Sequence, residues 1–329
     1  MRWPHRLRPR LRALAPLASL AALFASLLAA GPAVAGLAVA GTPSPAPGGP
    51  SLSETAEIAR VERFWTPQRM AEARPLDYVS DGSGRPRLRP GPPDPAGASA
   101  SYAPVKTPEV PPYAVEGRIF VKQGNLKGYC SGTAINSPTR QLVLTAGHCV
   151  NSGPREDGPR LASDFLEFVP AYSAGVAPFG AFVSRRETIR ALPQWINHGN
   201  PDYDVGAFLT HPNSEGVNVA DAVGGGATIA LDQTRHQTFM TFGYPGKKTR
   251  MEGCESAYVG DDATTYPFPG PPTLGVKCRW APGASGGGWL IGDGSEINGL
   301  SSYLLLADKS RTFSPYFTKE TVGKLVRGY

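Results

Sequence analysis

Cysteine and histidine are scarce in this sequence, and two common metal-binding patterns are absent. Only four cysteines and five histidines occur among 329 residues, and neither C-x-x-C nor H-E-x-x-H is found. These absences argue against a zinc hydrolase or a redox dithiol. We therefore expect no metal ion and no organic cofactor.

Acidic residues are missing from the first fifty positions. Five arginines precede an apolar run from Ala13 to Ala30, and no aspartate or glutamate occurs before Glu54. Small residues at Ala33-Val34-Ala35 and Ala38-Val39-Ala40 then offer two cleavage sites, so we predict that residues 1–40 are a signal peptide. A membrane anchor is the alternative, because the run approaches the roughly 20 residues that span a bilayer. Pro32 and the cleavage sites favour export, with no membrane attachment afterwards.

Export changes the meaning of the charge and of the cysteines. The net charge of +6 includes those five arginines, so removing them leaves +1. The basic balance therefore gives no reason to expect nucleic acid as a partner. An even number of cysteines in an extracellular protein is typical of disulfides.

Proline, glycine, alanine and serine dominate residues 41–112, and most of this stretch cannot fold alone. One part differs. Residues 53–64 carry Ile58, Val61 and Phe64 at helical spacing, and Thr66-Pro67 is a typical start for a second helix. We interpret residues 41–112 as a propeptide or linker that contains a pair of short helices.

Short apolar runs separated by turns fill residues 113–329, which indicates an all-β domain. Helical spacing occurs only at residues 318–326, with Thr318 as a candidate N-cap. The predicted strands include residues 118–122, 141–146, 165–171, 204–209, 227–231 and 297–306.

The segment Leu142-Val143-Leu144-Thr145-Ala146-Gly147-His148-Cys149, preceded by Cys130-Ser131-Gly132, resembles the histidine motif of trypsin-like serine peptidases. The resemblance implies that His148 is the general base. The other histidines, His198, His211 and His236 among them, are expected to be polar surface residues.

A second segment, Pro282-Gly283-Ala284-Ser285-Gly286-Gly287, resembles the nucleophile loop of the same family. The resemblance implies that Ser285 is the nucleophile and that the N–H groups of Gly283 and Ser285 form the oxyanion hole. The pattern G-x-S-x-G also fits α/β-hydrolases, but those enzymes place a histidine after the serine, and the last histidine here is His236.

The third member of the triad is expected between His148 and Ser285. Asp204 heads the apolar strand Val205-Gly206-Ala207-Phe208-Leu209, a position where a carboxylate can be buried to orient an imidazole. Asp202 is the alternative, although its neighbours suit a turn better.

The resemblance covers residues 115–329 and is greater to the secreted bacterial branch, including glutamyl endopeptidases, than to animal trypsins. It implies two six-stranded antiparallel β-barrels with a short C-terminal helix, a monomer, and a protein or peptide substrate. It also implies a Cys130–Cys149 bridge beside His148, and with that pairing Cys278 would bond to Cys254. By the same resemblance Ser302 would hydrogen-bond near Asp204, while Arg279 and Tyr303 would line the specificity pocket.

Two preferences stay open at the specificity pocket. Arg279 on its floor would favour an acidic side chain at the cleaved position, whereas Tyr303 on its wall would favour an apolar one.

Ala284 stands where animal trypsins carry the aspartate that binds a new N-terminus, so we expect an oxyanion loop that needs no ammonium partner. The sequence thus predicts an active secreted endopeptidase, and the alternative is an inactive relative that only binds.

Overall fold

The structure, a computed structural model, describes residues 51–80, 86–90, 102–155, 158–246, 249–264, 270–279 and 282–329. The predicted signal peptide lies outside these residues. No helix in the described ranges is long and apolar enough to cross a membrane. The strands are β1 Arg74–Ser80, β2 Pro86–Pro90, β3 Ala103–Pro104, β4 Glu116–Gln123, β5 Leu126–Ala134, β6 Leu142–Thr145, β7 Ser163–Pro170, β8 Phe182–Val183, β9 Arg190–Ala191, β10 Gly206–Leu209, β11 Thr228–Ile229, β12 Thr238–Gly243, β13 Glu252–Asp261, β14 Leu274–Val276, β15 Gly288–Ile291, β16 Glu296–Leu300, β17 Tyr303–Leu305 and β18 Asp308–Ser314. The helices are α1 Leu52–Phe64, α2 Pro67–Glu72, α3 Gly147–Val150, α4 Pro193–His198, α5 Val219–Ala222 and α6 Val322–Val326.

The first barrel is built from antiparallel pairs of β4, β5, β6, β10, β8 and β7. A bridge between Ser184 and Thr210, just past β8 and β10, closes it. Consecutive residues Ile119, Phe120 and Val121 of β4 are all fully buried. Both faces of the strand are therefore covered at its centre, which explains why three apolar residues follow one another there instead of alternating with polar ones.

The second barrel pairs β12 with β13 and β15, β13 with β14, β14 with β18, and β18 with β17. β15 pairs with β16, which continues into β17 after a break at Ser301 and Ser302. Counting β16 and β17 as one interrupted strand, this barrel also has six strands. Its core contains Trp289 and Phe239, with ring centroids 5.4 Å apart. The predicted two-barrel, all-β architecture is confirmed.

The C-terminal helix is shorter than the sequence predicts. It begins at Val322 rather than near Thr318. The N–H of Thr318 donates to Oγ1 of Thr321 at 2.9 Å, and the N–H of Thr321 donates to Oγ1 of Thr318 at 3.1 Å. These side chains satisfy the backbone in a turn, so the helix starts one turn later.

The part of residues 41–112 that the structure describes packs on the barrels. The second helix begins where the sequence predicts, with Thr66 as its N-cap, and the first begins at Leu52, one residue before the predicted stretch, with Ser51 as its N-cap. β3 pairs with β13 of the second barrel, and the adjacent Tyr102 is buried in that core. Tyr102, Ala103 and Pro104 therefore contact the second barrel.

Candidate active site

A hydrogen-bonded pair of His148 and Asp204 lies fully buried at one end of the first barrel. Nδ1 of His148 is 2.7 Å from Oδ2 of Asp204. The backbone N–H of His148 also donates to Oδ1 of Asp204 at 2.7 Å. One carboxylate therefore holds both the ring and the backbone of the histidine, which fixes the orientation of the imidazole.

Strand register explains why these residues meet. β6 pairs antiparallel with β10, and Thr145 lies opposite Gly206. His148 is three residues after Thr145, and Asp204 is two residues before Gly206, so both leave the barrel at the same end. Gly147 permits the close approach, since a Cβ there would lie 2.8 Å from Oδ1 of Asp204.

Ser302 provides a third hydrogen bond to Asp204. Its hydroxyl donates to Oδ2 of Asp204 at 2.5 Å, and both residues are fully buried. Ser302 occupies the break between β16 and β17, so the second barrel helps to hold a carboxylate of the first. The contact expected between these two residues is therefore present.

Asp202, the alternative to Asp204, has different partners. Its Oδ2 accepts from the N–H of Gly270 at 2.8 Å. Burial raises the pKa of Asp202 to about 6, and the nearby charge of Asp262 adds to the effect. Among the described contacts, Asp204 rather than Asp202 carries the bond to His148.

Ser285 lies on a loop that is attached to the first barrel. The carbonyl of Ser285 accepts from the N–H of Ser131 at 2.7 Å, and the hydroxyl of Ser131 donates to the carbonyl of Gly283 at 3.0 Å. Gly283 and Gly286 have φ angles of 104° and 84°, which L-residues with side chains rarely adopt. Ser285 itself is fully buried in this turn.

An acidic residue that sequence reasoning missed lies against this loop. Oδ1 of Asp77, from β1, accepts from the hydroxyl of Ser285 and from the N–H of Gly283, each at 3.4 Å. Its segment was predicted to be a propeptide or linker, and no local pattern marks Asp77 as a site residue. Only the fold brings it to Ser285.

The predicted specificity residues differ in their environments. Tyr303 is fully buried, stacks on Phe313 at 5.3 Å, and donates its hydroxyl to Oδ2 of Asp262 at 2.6 Å. Asp262 is buried as well. Arg279 is exposed, directly after Cys278. Its position on a pocket floor stays a prediction.

Two disulfides, Cys130–Cys149 and Cys254–Cys278, match the predicted pairing. The first anchors α3 immediately after His148, and the second connects β13 to the segment before the nucleophile loop. Cys130, His148 and Cys149 form the only close group of potential metal ligands in the described residues. Both sulfurs of that group are in the disulfide, so neither offers a thiolate.

A buried carboxyl joins the two barrels behind the nucleophile loop. Glu116 of β4 accepts from the N–H of Gly288 at 3.0 Å and from the hydroxyl of Thr133 at 2.9 Å. Burial raises the pKa of Glu116 to about 8, against the lowering effect of these two hydrogen bonds. Glu116 therefore holds a proton in the folded protein through much of the neutral range.

Three solved structures share this architecture. Protease Anisep from Arthrobacter nicotinovorans is 27% identical, with a TM-score of 0.56, over 65% of this chain and 96% of that one. The thermostable serine protease AL20 from an extremophilic microorganism is 25% identical, with a TM-score of 0.56, over 64% and 94%. A Glu endopeptidase is 19% identical, with a TM-score of 0.56, over 70% and 97%, and supports the fold alone.

No protein-family model matches the sequence, and no curated protein sequence matches it either. The structural relatives are nevertheless serine proteases whose chains are aligned over nearly their full lengths. The protein has the fold of chymotrypsin-like serine peptidases, as found in bacterial members of that class.

Proposed function

We propose that this protein is a secreted serine endopeptidase whose catalytic triad is His148, Asp204 and Ser285. The observation that carries the proposal is the buried pair of His148 Nδ1 and Asp204 Oδ2 at 2.7 Å. With Nδ1 engaged by the carboxylate, Nε2 is the ring nitrogen that exchanges a proton with Ser285. Asp204 fixes the tautomer and stabilises the imidazolium without taking the proton.

Acylation proceeds in two steps at a bound peptide. Oγ of Ser285 attacks the carbonyl carbon while its proton passes to His148, and the carbonyl oxygen becomes an oxyanion. The N–H groups of Gly283 and Ser285 are the proposed donors to that oxyanion, each worth about 2.7 to 4 kcal/mol in the transition state. The C–N bond then breaks, and His148 gives the proton to the leaving amine. Water hydrolyses the acyl-enzyme by the reverse transfers.

The proposed substrate is a protein or peptide, cleaved by a monomer outside the cell. Residues 1–40 direct export, and residues 41–112 contain a segment that is removed. Export is consistent with two disulfides in a protein of this size. We favour an acidic residue at the cleaved position because the guanidinium of Arg279 lies just before the nucleophile loop in sequence, six residues from Ser285.

The test is peptide hydrolysis by a chain that starts at Ser101, which retains Tyr102 and its packing. Casein cleavage by this form and none by Ser285→Ala would support the proposal. Asp204→Asn should lower kcat by about 10⁴-fold. A folded Ser101 form that hydrolyses no peptide in a library would favour the alternative, a protease-like binding protein.

A further inference from the structure

Strand β1 crosses the seam between the two barrels. At one end Arg74 and Pro75 pair in parallel with Gly128 and Tyr129 of β5. At the other end the backbone of residues 78–80 pairs in parallel with β17. Asp77 lies between these two pairings, which places it over the loop that carries Ser285. A single strand of the N-terminal segment thus spans the cleft in which the proposed chemistry takes place.

The group that faces Ser285 cannot react as a substrate. A carboxylate oxygen of Asp77, not a peptide carbonyl, lies within hydrogen-bond distance of the Ser285 hydroxyl and of the Gly283 N–H. Attack on a carboxylate would expel no amine. Its negatively charged oxygen also accepts from the Gly283 N–H, which is a proposed donor to the oxyanion. In a substrate, the negative charge of the oxyanion develops only in the transition state.

The strand itself is a weak anchor, because parallel pairing is less stable per residue than antiparallel pairing. Apolar side chains outside the seam hold the segment. Val61, Trp65 and Leu76 are buried against the first barrel, and the indole N–H of Trp65 donates to the carbonyl of Phe165. Leu76 packs on Gly128, where a Cβ would come within 2.6 Å of Cγ of Leu76.

Ion pairs surround this apolar contact. They join Arg60 to Asp164 at 3.0 Å, Glu54 to Arg185 at 2.7 Å, and Glu72 to Lys127 at 2.9 Å. His211 contacts Glu57 at 3.1 Å and is buried beneath α1, contrary to its expected surface position. These pairs are partly exposed, so each contributes little to the affinity of the segment for the barrel.

We propose that residues 51–80 are an inhibitory segment that holds the Asp77 carboxylate against Ser285 and the oxyanion donor Gly283. This inference rests on the proposed function and adds how the peptidase activity would be regulated. A closed form, with the segment seated, is in equilibrium with an open form, and only the open form reacts. Weakening the segment raises the open fraction and the observed rate in proportion.

The experiment measures the rate at which a fluorophosphonate probe labels the full-length chain. Asp77→Ala removes the blocking carboxylate, and Gly128→Ala displaces Leu76 without changing any residue of the proposed triad or oxyanion hole. Each should raise the labelling rate at least about tenfold, which corresponds to a shift of about 1.4 kcal/mol in the closing equilibrium. Asp77→Asn keeps the shape and one acceptor, so its increase should be smaller.

Glu72→Gln is the matched control, because it removes a carboxylate of the same segment at the surface and should leave the rate within about twofold. Thermal unfolding of each variant verifies that it is folded. Labelling of the wild type as fast as Asp77→Ala and Gly128→Ala would overturn the inhibition and leave the proposed function standing. Absence of Ser285 labelling in every folded variant would overturn both.

Discussion

Asp77 and Ser285 are 208 positions apart in the chain, yet Oδ1 of the aspartate lies 3.4 Å from the hydroxyl of the serine. The contact joins the segment before the barrels to the loop that carries the proposed nucleophile. Both side chains are buried. A substrate peptide and Asp77 cannot occupy this position together, so the described arrangement is a closed one.

Ser302 should act on catalysis through Asp204. Ser302→Ala removes the 2.5 Å hydrogen bond to Oδ2 of Asp204, and we expect kcat of the Ser101 form to fall about tenfold, because a charge-assisted bond worth about 1.5 kcal/mol is lost. The measurement is kcat and KM on one peptide substrate.

Ser301→Ala is the matched control for that variant. Ser301 is equally buried, but its hydroxyl accepts from the indole N–H of Trp289 at 2.8 Å instead of contacting Asp204. Both variants should lower the free energy of unfolding by about 1 kcal/mol. Equal effects of the two substitutions on kcat would contradict a role for Ser302 in positioning Asp204.

The two disulfides should contribute similarly to stability and differently to activity. Their sequence separations are 19 and 24 residues, so loss of either should lower the free energy of unfolding by about 3 kcal/mol in the chain-entropy model. Replacing Cys130 and Cys149 by alanine should also lower kcat, because Cys149 follows His148 directly. Replacing Cys254 and Cys278 should affect mainly stability. Denaturant unfolding and peptide turnover of both pairs test this, and a larger loss of kcat in the second pair would refute it.

Glu116 should make stability depend on pH. Its pKa is raised from 4.5 to about 8, so its contribution is fully present below about pH 4.5 and is lost as pH rises through about 8. Between those values the unfolded chain releases a proton that the folded protein keeps, and the free energy of unfolding falls by an amount on the order of a few kcal/mol.

Glu116→Gln should flatten that dependence in part. The amide can accept from Gly288 and donate to Thr133 in place of the carboxyl group. Glu167 and Asp202 retain the rest of the dependence. Burial and the charge of Glu62 raise the pKa of Glu167 to about 8, and burial raises the pKa of Asp202 to about 6. The exposed Glu187→Gln is the control and should leave the profile unchanged. Denaturant unfolding at intervals from pH 5 to 9 gives the measurement, and superimposable wild-type and Glu116→Gln profiles would exclude a buried proton on Glu116.

Arg279 should influence the choice of substrate. If its guanidinium faces the side chain at the cleaved position, Arg279→Gln should lower kcat/KM for peptides with Glu or Asp there by about tenfold or more, with little change for apolar residues. Library cleavage by the Ser101 form and its variant tests this. A wild-type profile dominated by Lys or Arg would contradict both the acidic and the apolar preference.

The sequence predicted those parts of the site that depend on short local patterns. The apolar run before His148 indicates a strand that ends near this histidine, and the glycines around Ser285 indicate a tight turn. The antiparallel register of β6 and β10 then brings Asp204 to His148. Asp77 carries no such pattern. Its position depends on Leu76 packing against Gly128 and on helices that dock on a barrel assembled from distant residues, and neither can be inferred from local spacing. His211 was misjudged for the same reason, because α1 covers it.

The most direct test of the proposed nucleophile is mass spectrometry of the full-length chain and its Asp77→Ala variant after treatment with diisopropyl fluorophosphate. We predict one covalent adduct per chain, mapped to the peptide that contains Ser285. The adduct should form faster in Asp77→Ala, be absent in Ser285→Ala, and form much more slowly when His148 is replaced by alanine. An adduct that persists in Ser285→Ala, or none on Ser285 in a folded chain, would contradict a nucleophilic serine at this position.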